Sequence, residues 1–133
     1  MIVFDVSTLV GAAIKRDGVP ARALLKARAR DTLALSRAVR AEMLEVLHRP
    51  ELARFLGRAQ RDEVLELVTA AAVWVEPAVA VTDCRDAKDN KYLELALASG
   101  AAAIVSSDDD LLVLDPWRGG VRILRPATYL AQP

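Results

Sequence analysis

Met1-Ile2-Val3-Phe4-Asp5 is an apolar run closed by an acid, and the rest of the chain is best read outward from it. The run is too short for a helix and reads as a buried strand. Ser7 to Ile14 is Ala-rich and helical, ending near Asp17-Gly18. Pro20 opens a second helix, since a first-turn proline lacks only an N–H that had no partner. It runs from Ala21 to Arg30 with Ala23, Leu24, Leu25 and Ala27 inward. Thr32 to Leu35 reads as a second strand. Ser36 then caps a helix from Arg37 to His48 whose apolar stripe is Val39, Met43, Val46 and Leu47. Arg49-Pro50 ends it. A short helix over Glu51 to Leu56 precedes another from Arg61 to Ala72, with Val64, Leu65, Leu67 and Val68 inward.

Val73-Trp74-Val75 is a third strand, stopped by Pro77, and Val79 to Asp86 is loop. Ala87 to Ser99 reads as a helix burying Leu93, Leu95, Ala96 and Leu97, with Gly100 just past its end. Ala103 to Ser106 is a strand, Leu111-Leu112 a helical turn, and Val121 to Leu124 the last strand. Pro126 starts a final short helix. Strands alternating with helices predict an α/β domain, a three-layer α/β/α sandwich around a mostly parallel, about five-stranded sheet. No repeat, low-complexity tract or linker interrupts it, so residues 1–133 are expected to form one domain.

Composition narrows the class. Apolar residues make up 53% of the chain and charged ones 27%, which suits a globular fold rather than a disordered one. Cys84 is the single cysteine, so no intrachain disulfide can form, and a reducing cytoplasm is the expected setting. An acid at position 5 with no basic segment before it argues against a signal peptide. No apolar stretch approaches the roughly 20 residues of a membrane helix. Net charge is zero, yet residues 15–61 hold twelve cations against five acids, so this segment carries +7 and the remainder −7. A basic half beside an acidic one fits a metal-dependent nuclease, with cations for phosphates and carboxylates for metal. Arginines on solvated helix faces would produce the same pattern.

The acids fall where such folds place their sites, at the carboxyl ends of strands. Asp5 ends the first strand; Asp108, Asp109 and Asp110 follow the fourth, behind Ser106-Ser107. Asp86 and Asp89 start the helix before that strand. Glu42 and Glu45 lie on the helix after the second strand. Converging carboxylates repel unless cations neutralise them, and an all-oxygen set suits Mg²⁺ or Mn²⁺ better than Zn²⁺. His48 is the single histidine, which excludes a histidine-rich zinc site and leaves little room for a Ser-His-Asp triad. Each acid also has a plainer role. Asp86, Asp89 and Asp108 can serve helix starts, and the two glutamates can pair with arginines one turn away. Asp5 is hardest to explain this way, because an acid ending a buried strand has no capping or solvation advantage over Asn or Ser.

On these residues the chain resembles the PIN-domain family, in particular the VapC-like toxin components of toxin–antitoxin pairs. Ile2-Val3-Phe4-Asp5-Val6-Ser7-Thr8 resembles the family's opening strand and first acid, with Ser7 as the small polar residue that helps position it. Ser36 followed by Glu42 resembles the second motif, with Glu45 as a competing choice. Asp86 to Ala96 resembles the third motif, with Asp89 the acid. Ile104-Val105-Ser106-Ser107-Asp108-Asp109-Asp110 resembles the fourth, where Ser106 is the hydroxyl residue and Asp108 and Asp110 the acids; many relatives have Thr at position 106. The four motifs in order cover nearly the whole chain.

The resemblance implies a Mg²⁺- or Mn²⁺-dependent endoribonuclease in which Asp5, Glu42, Asp89 and Asp108 hold metal, assisted by Asp110. Ser7 and Ser106 would orient those carboxylates. Arg16, Arg37 and Arg40 are the residues chosen from the basic half to hold the RNA backbone. A cognate antitoxin is the expected partner, along with a second copy of the chain. Two other readings stay open within the family: a non-catalytic module that binds RNA or protein, and a nuclease of RNA processing. A phosphatase of the haloacid dehalogenase type is disfavoured, because it wants an acid two residues after Asp5 where Ser7 stands.

Overall fold

The computed structural model describes residues 1–133. β1 (Ile2–Phe4), β4 (Ala103–Val105) and β5 (Arg122–Leu124) form a parallel three-stranded sheet in the order β1-β4-β5. β2 (Ala34–Leu35) and β3 (Val73–Trp74) pair in parallel beside it. A parallel bridge between Ile2 and Leu33 joins the two, with the Ile2 N–H donating to the Thr32 carbonyl at 2.8 Å. The spatial order is therefore β3-β2-β1-β4-β5, and every strand is parallel.

Successive residues of a strand face opposite sides of the sheet. Val3 and Phe4 are both buried, so both faces are covered and the molecule has three layers. α5 (Asn90–Ser99) lies against β1, β2 and β4. α1 (Val6–Ile14) packs on α2 (Val19–Arg30), α3 (Arg37–Leu47) and α4 (Arg58–Ala71), while α7 (Pro126–Ala131) packs on α2. Tyr129 of α7 meets Phe4 edge-on, with ring centroids 6.1 Å apart. α6 (Asp109–Leu112) is one short turn after β4. No helix is long and apolar enough to cross a membrane.

Several boundaries and faces differ from those the sequence predicts. α4 starts at Arg58 rather than Arg61, because the Gln60 side chain accepts from the Gly57 N–H at 3.0 Å and secures an extra first turn. The segment from Glu51 to Leu56 contains only a 3₁₀ turn, Pro50–Leu52. Ala87 to Ser99 divides into a 3₁₀ turn, Ala87–Asp89, followed by α5. Leu25 and Leu97, assigned to the inner faces of their helices, are 45% and 42% exposed. Leu24 and Leu95–Ala96 already fill those inner faces, and the next residue on a helix turns about 100° away.

The order 3-2-1-4-5 reverses direction between β1 and β4. This is the place where an open parallel sheet leaves a crevice at its carboxyl edge. The register pairs Phe4 with Val105, so the residues that follow, Asp5 and Ser106, emerge there side by side.

Candidate active site

Asp5 sits between strand and helix. Its backbone N–H donates to the Val105 carbonyl at 3.1 Å, continuing the sheet. Its Oδ1 accepts from the Thr8 N–H at 2.9 Å, capping α1. The acid thus has a capping role as well, although Asn could fill that role equally. The other oxygen, Oδ2, accepts from the Ser106 hydroxyl. Asp5 is 3% exposed and Ser106 fully buried. Burial raises the Asp5 pKa, and hydrogen bonds from Ser106 and Thr8 pull it back, with a smaller pull from Ser7. Ser7 itself is exposed on the first turn of α1.

Ser106 also accepts from the Asp108 N–H at 3.0 Å, so one hydroxyl links the acid after β1 to the acid after β4. Asp108 caps α6 by accepting from the Asp110 N–H at 2.9 Å. Asp110 pairs with Arg85 at 3.1 Å. Asp109 is 91% exposed and pairs only with Arg125, which separates it from its two neighbours.

Asp89 ends the 3₁₀ turn that leads into α5, and Asp86 caps that turn through the Lys88 N–H. Burial comes first among the causes that push the Asp89 carboxyl up to about 7, followed by its contact with Asp108 and the charges of Asp108, Asp86 and Glu42. Asn90 is buried and fixes the approach to the turn by accepting from the Cys84 N–H at 2.9 Å. Ser36 caps α3 through the Val39 N–H at 3.2 Å, and this sets the helix phase that turns Glu42 toward α5. There Glu42 accepts from Lys91 at 2.9 Å and from the Tyr92 hydroxyl. Glu45, by contrast, faces outward and pairs with Arg49 at 2.9 Å.

Two of these acids stand at the starts of full helices, Asp5 at α1 and Asp89 at α5. The partial positive charge of a helix N-terminus offsets some of the repulsion among them. The charges of Asp108, Asp86 and Glu42 still add to the effect of burial in raising the Asp89 carboxyl.

The donor chemistry suits a hard divalent ion. Asp89 Oδ2 is buried and has no hydrogen-bond partner, an arrangement that costs free energy unless something else meets that oxygen. As the side chains stand, no three acidic groups surround a single point. Asp5 is turned to Ser106, and Glu42 to Lys91 and Tyr92. Asp89 and Asp108 are the pair in contact, and a cation between them would offset the Asp108 charge that, after burial, helps to raise Asp89.

Removing the Asp89 charge should therefore change the pH profile of stability. The folded Asp89 retains its proton up to about 7, whereas the unfolded chain releases it near the ordinary 3.8. The folded state binds more protons in this window, so stability falls as pH rises through it. In EDTA, urea melts at pH 5 and pH 8 should show wild type losing ground to Asp89→Asn by on the order of 1 kcal/mol, a figure reduced for solvent screening. An equal wild-type-to-variant difference at both pH values would refute the raised carboxyl.

Of the other residues singled out from the sequence, Arg16 pairs with Glu63 at 2.9 Å. Arg37 stands beside Glu76, and Arg40 lines a surface groove with Asp62 and Glu66. None of the three forms an ion pair with Asp5, Glu42, Asp89, Asp108 or Asp110. The cations that do reach the acids around β4 and α5 are Lys91, Arg85 and Arg125. Lys91 and Tyr92 lie inside the stretch that resembles the third motif, and the resemblance gives a role to neither. Tyr92 is three residues after Asp89 and so shares its helix face, a spacing visible in the sequence.

The chain belongs to the PIN domain family, whose model matches residues 1–110. It is 29% identical over 123 residues to the uncharacterized protein MJ1680 of Methanocaldococcus jannaschii, a match spanning 85% of this chain and 74% of that protein. Its fold is similar to a chain of VapBC2 from Rickettsia felis, solved bound to a DNA fragment from its promoter. That likeness has a TM-score of 0.55 at 13% identity and covers 92% of this chain and 98% of that one. At this identity the second likeness bears on fold alone.

Proposed function

We propose that residues 1–133 form a single catalytic domain, a metal-dependent endoribonuclease that acts as the toxin of a toxin–antitoxin pair. PIN domains are generally nucleases, and the observation that carries the reading is the contact of Asp89 with Asp108 at the switch point of the sheet, with Asp5 tied to the same edge through Ser106. Asp89 has one buried oxygen without a partner and a carboxyl pushed up first by burial and then by its acidic neighbours.

Asp5, Glu42, Asp89 and Asp108 would hold Mg²⁺ or Mn²⁺, with Asp110 assisting. The ion supplies a Lewis acid for the phosphodiester and a bound water acidic enough to attack it. Ser106 fixes the Asp5 and Asp108 sides of the site relative to each other through its two hydrogen bonds. Ser7 supports Asp5 at the first turn of α1. Tyr92 holds Glu42, and with its own pKa raised by burial and by Glu42 it remains a proton donor. The open carboxyl edge would admit an RNA strand whose phosphates meet Arg37 and Arg40 on the first turn of α3, just past β2, whereas Arg16, beyond the far end of α1, could serve only a strand that extends away from that edge.

The partner would be a cognate antitoxin, as in the VapBC2 complex, and the toxin would work as a homodimer in the cytoplasm. The test is cleavage of a mixed RNA panel by purified protein in Mg²⁺, Mn²⁺ or EDTA. Cutting that EDTA abolishes and either ion restores is the expected result. Cutting that persists in EDTA would overturn the metal-dependent reading.

A further inference from the structure

Of the four acids that would hold the metal directly, Asp5, Glu42, Asp89 and Asp108, Glu42 is the one already paired with a cation. Lys91 Nζ is 2.9 Å from Glu42 Oε2, and the Tyr92 hydroxyl donates to Oε1. Both sides of the ion pair are shielded, the Lys91 side chain being 21% exposed and that of Glu42 23%. The other exposed ion pairs near the site lack this enclosure, Arg85 being 87% exposed where it meets Asp110. Tyr92 is itself immobilised, because its oxygen also accepts from the Val6 N–H at 3.1 Å and its ring is buried. Glu42 therefore joins the starts of α1 and α5 to α3, and both of its oxygens are occupied.

This arrangement explains why Glu42 does not converge with the other acids, and it rests on the metal-dependent reading given above. We propose that Lys91 is a built-in counter-cation that holds Glu42 back from the metal position, so that an incoming divalent ion must compete with it. Lys91 then sets how tightly the site takes metal. It is a positioning residue, acting through Glu42.

Charge arithmetic gives the direction. A fixed positive charge a few ångströms from a cation site disfavours the ion and withholds a ligand, so neutralising it should tighten binding. A merely structural role for Lys91 predicts the opposite, since loosening the α3–α5 contact would weaken a site built across those helices.

The test is Mn²⁺ binding by the full chain, read from the loss of the free-ion electron paramagnetic resonance signal at fixed pH. Lys91→Met should bind Mn²⁺ roughly tenfold more tightly than wild type. Lys91→Arg, which keeps the charge, and Lys88→Met, which neutralises a nearby exposed lysine, should stay within about twofold of wild type. If Lys91→Met does not fold by circular dichroism, Lys91→Gln serves the same comparison. Binding by the folded neutral variant that is unchanged or weaker overturns the role of Lys91 while leaving the metal site standing. A wild type and Lys91→Met that both fail to bind Mn²⁺ at millimolar concentration would overturn the metal-dependent reading and this role with it.

Discussion

On the proposed ribonuclease reading, Asp5→Asn should fold and should cut RNA at least about a hundredfold more slowly than wild type, since changing even a neighbour of a metal ligand costs 10- to 100-fold. Folding survives because Asn caps a helix as well as Asp does and can still accept from the Thr8 N–H. The substitution also removes a charge that burial disfavours, with the carboxyl 3% exposed and its pKa raised. Its thermal stability should lie within about 1 kcal/mol of wild type, the ordinary range for a change that leaves packing intact. Initial rates in Mn²⁺, paired with melting curves, check both parts. A folded variant that retains more than a tenth of the wild-type rate would remove Asp5 from the chemistry.

Ile104→Ala should have the largest effect on stability. Ile104 is fully buried in β4 and pairs with Val3 on one side and Ile123 on the other. Losing its branched side chain costs apolar burial and leaves a cavity in a layer covered on both faces, about 2–5 kcal/mol in comparable cores. For a chain of this size that corresponds to a fall in melting temperature of roughly 6–25 °C. A fall under about 3 °C would mean that the helices collapse onto the gap and that the β4 layer is less tightly packed than described. The strand also carries Ser106 and Asp108 into the site, so a loosened β4 should lower activity below its melting point as well.

The sequence makes the local parts of this structure legible. β1 is a dense apolar run with no helical period, Ser36 is a strong helix start, and Gly100 takes the left-handed conformation, φ 67°, that ends α5. The five strands and their parallel arrangement follow from alternation with helices. What resists reading depends on rotation and contact between elements. Leu25 and Leu97 sit beside true core positions, and only the packed neighbour shows which side of the helix is inside. Glu42 and Glu45 lie three residues apart and compete for one role in the sequence, and only the packed structure shows Glu42 facing α5 while Glu45 pairs with Arg49. The cations of residues 15–61 suggested where phosphate contacts lie, yet the lysine touching a candidate ligand comes from α5, fifty residues on. No periodicity within one segment reports such a meeting.

The chain has two tryptophans, and they occupy opposite environments. Trp74 is 45% exposed on the edge strand, whereas Trp117 is 3% exposed with its indole N–H donating to Asp83 at 2.8 Å. Asp83 lies three residues before the turn that carries Asp86 and Asp89. The buried indole is consequently an optical sensor of that loop, already wired to the backbone that delivers two of the acids. With Trp74 replaced by Phe, the emission of a single fluorophore would report movement at the edge of the site without any label being attached.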